Sequence, residues 1–457
     1  MSEATTPSGA MSPATKPHQF EEEHSDEALA GAATTGPSGG NVRSYLENYV
    51  RRIRGGDMGS LPAVGALVVL VIAFSFEQGF FSLGNFANLI TQAAPSVLLA
   101  MGLVFVLLLG EIDLSAGTTS GVGAATTAVL LHNGWAWPIA VLVALIVGAV
   151  IGFFIGIMRA KVRVPSFVVT LALFLGLQGV VILIVNSAHT QGNLTLNSNV
   201  LNDLENAPMP VWLGWVMAAV VIVGFAADKL WAATSRRRRG LATEPMAVIL
   251  AKVGGLAVIS IVAVALLNSD RSLNKGSTVE VVNGKIVRVA HTKLQGVPWV
   301  VPVIVVLVVG LGFVLSRTRY GRHIYAVGGN DEASRRAGIR VDAIRVSVFV
   351  VGSVLAMVSG VVLASQIGVN NGEGGGNTLL LAVGAAVIGG TSLFGGKGKI
   401  TDAVVGGLVV AVIINGMSDL LQGGNNAAYQ AIVTGAVLAL AATVDALSRR
   451  RAGSTGL

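Results

Sequence analysis

Two carboxylates stand out because they lie where a carboxylate is expensive. Glu111 and Asp113 sit in Gly110-Glu-Ile-Asp-Leu-Ser115, at the junction of two apolar runs. An ionised carboxylate at the centre of a bilayer costs about 2.5–3.5 kcal/mol on insertion scales, so it usually faces a polar cavity or serves a function. Two readings fit. In one, Glu111, Asp113 and Ser115 line a route for a polar solute, the carboxylates accepting hydrogen bonds from its hydroxyls. In the other, Asp113 and Ser115 cap the next helix at the membrane surface, where water removes the cost. Ser166, Thr170 and Gln178 follow at spacings of four and eight, which puts them on one helical face. That stripe either lines a route or bonds a neighbouring helix. Gln92, Asn415 and Gln422 are lone polar groups in apolar surroundings.

Covalent catalysis and metal chemistry find little support. Cysteine is absent, which excludes disulfides, thiolate metal sites and cysteine nucleophiles. The six histidines include no H-x-x-x-H pair, so no metal site is expected. The nearest approach to a nucleotide-binding G-x-x-x-x-G-K-[ST] loop is Thr391-Ser-Leu-Phe-Gly395-Gly396-Lys397-Gly398. It lacks the first glycine in register and the hydroxyl after lysine, so it is no nucleotide-binding loop and the chain is not expected to hydrolyse ATP itself.

The most informative polar stretch runs from Arg317 to about Asp342. Asn330 or Asp331 can cap a helix whose first turn holds Glu332, a favourable place for a carboxylate. Ala333, Ser334 and Ala337 leave a small-sided surface, and Gly338 is placed to end the helix. Such a helix suits another protein's groove; the alternative is a solvated basic loop.

The elements that must hold these residues are membrane helices. Of 457 residues, 53% are hydrophobic and 12% charged, and mean hydropathy is +0.72. Soluble domains carry about 25% charged residues, so the solvent of this all-α, polytopic chain is largely lipid. About twelve spans are expected, near 61–80, 93–110, 114–131, 137–158, 164–185, 211–233, 246–267, 298–316, 343–366, 378–394, 401–421 and 427–447. The second, third and tenth look short, glycine-rich and bent or re-entrant. Residues 1–42 read as a disordered tail, 43–60 as an amphipathic juxtamembrane segment, and 61–450 as the transmembrane domain.

Charge sets the expected orientation, and explains a net charge of +7 without nucleic acid. With the amino terminus inside, inner segments collect Arg43, Arg51, Arg52, Arg54, Arg159, Lys161, Arg163, Arg236 to Arg239, the arginines of 317–345, Lys397, Lys399 and Arg449 to Arg451. Outer loops near 81–92, 132–136, 186–210, 367–377 and 422–426 hold no Lys or Arg. Both termini are then cytoplasmic. The basic exception is the outer loop 268–297. There Thr278 to Val282 and Lys285 to Val289 alternate around Asn283-Gly284, a hairpin signal. It is either a solvated insertion or a contact for a substrate-delivering partner.

Glu332-Ala333-Ser334 followed by Gly338 resembles the E-A-A-x-x-x-G coupling loop of bacterial ABC importer permeases, with Ser334 replacing the second alanine. Gly328 through Ile339, Gly110 to Ser115, Val164 to Leu171 and Gly389 to Gly396 resemble the branch that imports pentoses and related sugars. Glu111 and the extra helix pair 211–233 and 246–267 are similar to D-xylose-type permeases; the hairpin departs from that pattern. The resemblance implies a transport subunit in a bacterial cell membrane, with no catalytic residue and no cofactor of its own. It would pair with a second permease copy, receive a monosaccharide from an external sugar-binding protein, and be driven by a cytoplasmic ATPase that uses ATP and Mg. Gly329, Asn330, Glu332, Ala333, Ser334, Arg335, Gly338 and Ile339 would meet that ATPase. The rival classes are a permease for another pentose, hexose or nucleoside, and an ion-coupled secondary transporter.

Overall fold

The computed structural model describes residues 42–54, 59–77, 79–189, 193–241, 243–272, 278–282, 285–289, 294–370 and 376–420, with short helical pieces between 428 and 443. The tail, Asn283-Gly284, Gln422 and most of the twelfth expected span lie outside them. The helices are α1 (Val42–Arg54), α2 (Leu61–Phe74), α3 (Leu83–Leu108), α4 (Ala116–His132), α5 (Trp137–Ile157), α6 (Ser166–Ser187), α7 (Asn199–Asn206), α8 (Val211–Arg238), α9 (Met246–Leu267), α10 (Val300–Arg317), α11 (Arg319–Gly329), α12 (Asp331–Arg336), α13 (Val341–Ile367), α14 (Gly376–Ile388) and α15 (Ile400–Leu420). Strands are few. β1 (Asn193–Leu194) pairs antiparallel with β4 (Val369–Asn370), and β2 (Thr278–Val282) pairs with β3 (Lys285–Val289).

Among the described residues eight helices are long and apolar enough to cross a membrane, and Leu61–Phe74 and Asn377–Ile388 are shorter apolar helices. The second expected span is corrected: α3 is one of the longest helices, not a short one. Ser82 caps it by accepting from the Asn85 N–H at 3.2 Å. Its first ten residues include Asn85, Asn88, Thr91 and Gln92, so counting apolar residues alone misses them. The tenth is short, as expected, and ends six residues earlier than 394. Helix α14 stops at Ile388, and Gly389 to Gly398 form a loop.

The chain divides into two compact units. The smaller, within Met1–Val50 and Val223–Gly255, contains most of α1. There the Lys252 ammonium lies 5.6 Å from the centre of the Tyr45 ring and pairs with Glu244 at 2.8 Å. Val42, Leu46, Tyr49 and Val50 on α1 stay exposed.

The larger unit, Arg51–Ile222 and Leu256–Leu457, is built around α13. That helix packs along α3, α4 and α5; α3 in turn packs on α14 and α15. The α5–α13 crossing is close because α5 carries Ala140, Ala144, Gly148, Gly152 and Gly156 at four-residue intervals. A Cβ on Gly152 would strike the Phe349 carbonyl, and one on Gly156 would come within 2.6 Å of the Val346 Cα. Small residues let backbones touch where lipid supplies no hydrophobic drive. Ser359 Oγ donates to the Pro95 carbonyl at 2.7 Å, tying α13 to α3.

Candidate functional site

The segment between α10 and α13 folds into two short helices with well-made ends. Thr318 caps α11 by accepting from the Gly321 N–H at 3.1 Å. Gly321, Ile324 and Val327, three residues apart, form its buried face. Asn330 Oδ1 accepts from the Ala333 N–H at 2.9 Å, capping α12. At the far end the Gly338 N–H bonds the Arg335 carbonyl and the Ile339 N–H bonds the Ser334 carbonyl, both at 3.0 Å. This is a Schellman stop, with Gly338 at φ +82° where a Cβ is disfavoured. Glu332, Ala333 and Ala337 are exposed, Ser334 is buried, Ile339 is half-buried, and Gly329 has open space around it.

Close glycine contacts seat this segment. Gly328 approaches the Leu108 carbonyl at the end of α3 too closely for any side chain. The Gly396 N–H donates to that same carbonyl at 2.9 Å. A Cβ on Gly395 would lie 2.8 Å from both Gly110 N and Gly328 O. Thus Gly110, Gly328 and the 389–396 stretch, far apart in sequence, meet backbone to backbone. Tyr320 shares a 2.9 Å hydrogen bond with Ser347 Oγ.

A chain of ion pairs runs from α12 into this junction. Glu332 pairs with Arg336 at 3.3 Å on the exposed side, a contact of little energetic weight. Arg335 reaches Asp342 at 2.7 Å and Asp331 at 3.7 Å. The Asp342 carboxylate holds the Arg335 guanidinium above its usual range. Asp331 accepts from Arg345 Nη2 at 2.8 Å, and Arg345 Nε stands 3.4 Å from Glu111. Glu111 also takes a 2.7 Å bond from Arg159. Arg159 lies in a π turn, Met158–Val162, that widens the end of α5.

Asp113 has a different task. Its Oδ1 accepts from Ser115 N and Ser115 Oγ at 2.9 and 2.6 Å, closing the turn that starts α4. Burial pushes the Asp113 carboxyl up, while the bonds from Ser115 and Ala116 pull against that. Ser166 Oγ accepts from the Ile112 N–H at 3.4 Å. Thr170 Oγ1 donates to the Ser166 carbonyl at 2.9 Å and reaches the Ile112 carbonyl at 3.4 Å. Glu111, Asp113, Ser115, Ser166 and Thr170 therefore cluster, with their polar atoms engaged by the protein itself. Gln178 is half-buried farther along α6.

Gln92 and Asn415 meet elsewhere. The Asn415 amide donates to Gln92 Oε1 at 3.5 Å, linking α15 to α3. Asn415 is buried with its Oδ1 unpartnered, whereas Gln92 and Asn88 lie exposed one turn apart. Arg159, Arg345 and Asp342 were not legible as site residues from sequence: they read only as charges at span ends. No group of three metal-capable side chains occurs among the described residues.

This geometry lies within residues 85–442, which match the family described as branched-chain amino acid transport system / permease component. The chain belongs to that family. The permease is 31% identical to the xylose transport system permease protein XylH of Escherichia coli K12, over 85% of this chain and 92% of the relative. It is also 31% identical to XylH of Haemophilus influenzae, over 84% and 96%. The ribose import permease protein RbsC of Escherichia coli K12 is 27% identical, over 84% and 92%. No solved structure matches the permease. Family and apolar helices together make it a multi-pass membrane protein.

Proposed function

We propose that this permease is the membrane subunit of an ATP-driven importer for a monosaccharide, with D-xylose the first substrate to test. The observation that carries the reading is α12. It is capped at both ends, anchored at its back through Ser334 and Asp331, and presents Glu332 and Ala333 outward. A helix seated in this way can receive a push from a separate motor and pass it on as a rigid-body displacement. Similarity to xylose and ribose permeases over 85% and 84% of the chain supports the class of solute.

In this reading the arginine-rich end faces the cytoplasm and meets an ABC ATPase, which supplies the ATP and Mg chemistry. The opposite end receives sugar from an external binding protein, and two copies of the chain form the pore. Glu111, Asp113, Ser115, Ser166 and Thr170 hold the inner junction rather than touch sugar. Gln92, with the buried Asn415 amide beside it, is better placed for a route, since an exposed amide on a membrane helix is costly against lipid and useful against hydroxyls. The test is uptake in proteoliposomes carrying the ATPase and binding protein, across labelled D-xylose, D-ribose, D-galactose and a nucleoside. ATP-dependent accumulation of one pentose is expected. Uptake that needs an ion gradient and is abolished by a protonophore at constant ATP would overturn the reading.

A further inference from the structure

Glu111 is the most deeply placed member of the ion-pair chain, and its surroundings differ from those of a solute ligand. Its side chain is 7% exposed, that of Arg345 11%, and that of Asp331 41%. The chain thus starts on the surface of α12 and ends at a buried carboxylate in the junction of α3, α4 and α5. Charges in such surroundings are poorly screened by water and salt, so a displacement of one is felt strongly by the next. We propose that Asp331, Arg345 and Glu111 form an ion-pair relay that passes movement of α12 to the inner ends of α3, α4 and α5. This rests on the importer reading above, and it makes Glu111 and Arg345 positioning residues for coupling.

Two features suit a relay better than a static brace. Arg345 is shared: Nη2 is bonded to Asp331, while Nε sits 3.4 Å from Glu111 without a hydrogen bond. Asp331 Oδ1 is likewise buried and unbonded, 3.7 Å from Arg335 Nε. Small movements of α12 would therefore tighten one contact as another loosens, which gives the chain alternative arrangements of similar composition. The remaining ion pair of Glu111 comes from Arg159 in the π turn, a local irregularity of the kind often found at working sites. A neutral residue at 111 would leave Arg159 and Arg345 facing each other without their shared anion.

The experiment measures ATP hydrolysis and sugar uptake in the same proteoliposomes, for wild type, Glu111→Gln, Glu111→Asp and Arg345→Lys, using the labelled pentose the wild type accumulates. Glu111→Gln is expected to co-purify the ATPase at wild-type yield, with unchanged KM for sugar, while uptake per ATP falls at least tenfold. Glu111→Asp keeps the charge but withdraws it by one methylene, and is expected to lose at least threefold. Arg345→Lys, which keeps the charge without the guanidinium fork, should fall between these. Uptake per ATP within twofold of wild type in Glu111→Gln would overturn the relay. So would a raised KM with unchanged coupling, which would make Glu111 a sugar ligand. Should Glu111→Gln fail to insert, Glu111→Asp decides by the same ratio: wild-type coupling overturns the relay. A wild type that hydrolyses ATP but moves no sugar would overturn the importer reading itself.

Discussion

The Tyr325 hydroxyl donates to the Gly398 carbonyl at 2.7 Å, joining the helix before the exposed α12 to the glycine loop after α14. Burial, and then the neighbouring Asp402 charge, push the phenol up, so it remains a donor throughout the physiological range. A net hydrogen bond of this kind contributes about 0.5–1.5 kcal/mol. Tyr325→Phe should therefore lower the thermal midpoint in detergent by a few degrees and loosen α11. Hydrogen exchange over residues 319–338 should rise selectively. Unchanged exchange there would show that the glycine contacts alone hold the segment.

The α5–α13 crossing gives a sharper structural test. Gly152 has no room for a Cβ against the Phe349 backbone, and neither side of the contact is a flexible tip. Gly152→Val forces the helices apart, and overpacking of this kind costs about 1–3 kcal/mol or more. Reduced yield of folded protein and an earlier thermal transition are expected. The same change at Gly176, which meets nothing within 4 Å, should be nearly silent. Equal effects at both positions would contradict the packing described.

Glu205, on α7 beside Ser365 of α13, supplies a pH dependence. Both its carboxyl oxygens are buried without hydrogen-bond partners, and burial pushes the acid up from 4.5 to about 9. A folded-state value above the unfolded one means the stabilised form is the protonated one. Stability is then fully present below about 4.5 and is lost as pH rises toward about 9. The slope is about 1.4 kcal/mol per pH unit from this group, as an upper limit. Glu205→Gln should flatten the fall in thermal midpoint between pH 5 and pH 8. Parallel curves for the two proteins would show that the carboxyl is ionised and solvated instead.

Local features of the site could be read from sequence, and long-range ones could not. Asn330 and Gly338 announce the ends of α12 because capping and the left-handed stop depend on neighbouring residues alone. The start of α3 is hidden because a polar helix turn breaks the apolar count without breaking the helix. The partners of Glu111 are hidden for another reason. Arg159 and Arg345 are two among many arginines at span ends, and only the packing of α5 against α13 brings both to one carboxylate. The turn before α4 lies between these cases: the motif allows Asp113 to brace it, and the 2.6 and 2.9 Å bonds from Ser115 make that brace, while Ser115 itself makes no side-chain cap bond.

The role of α12 as the motor's contact can be measured directly, because the chain has no cysteine of its own. Glu332→Cys places a single thiol on the exposed face of α12, to be labelled with a membrane-impermeant maleimide in right-side-out and inside-out vesicles. The coupling role predicts labelling only in inside-out vesicles and protection when the ATPase is bound. Labelling from the outer face, or full labelling with the ATPase in place, would contradict it.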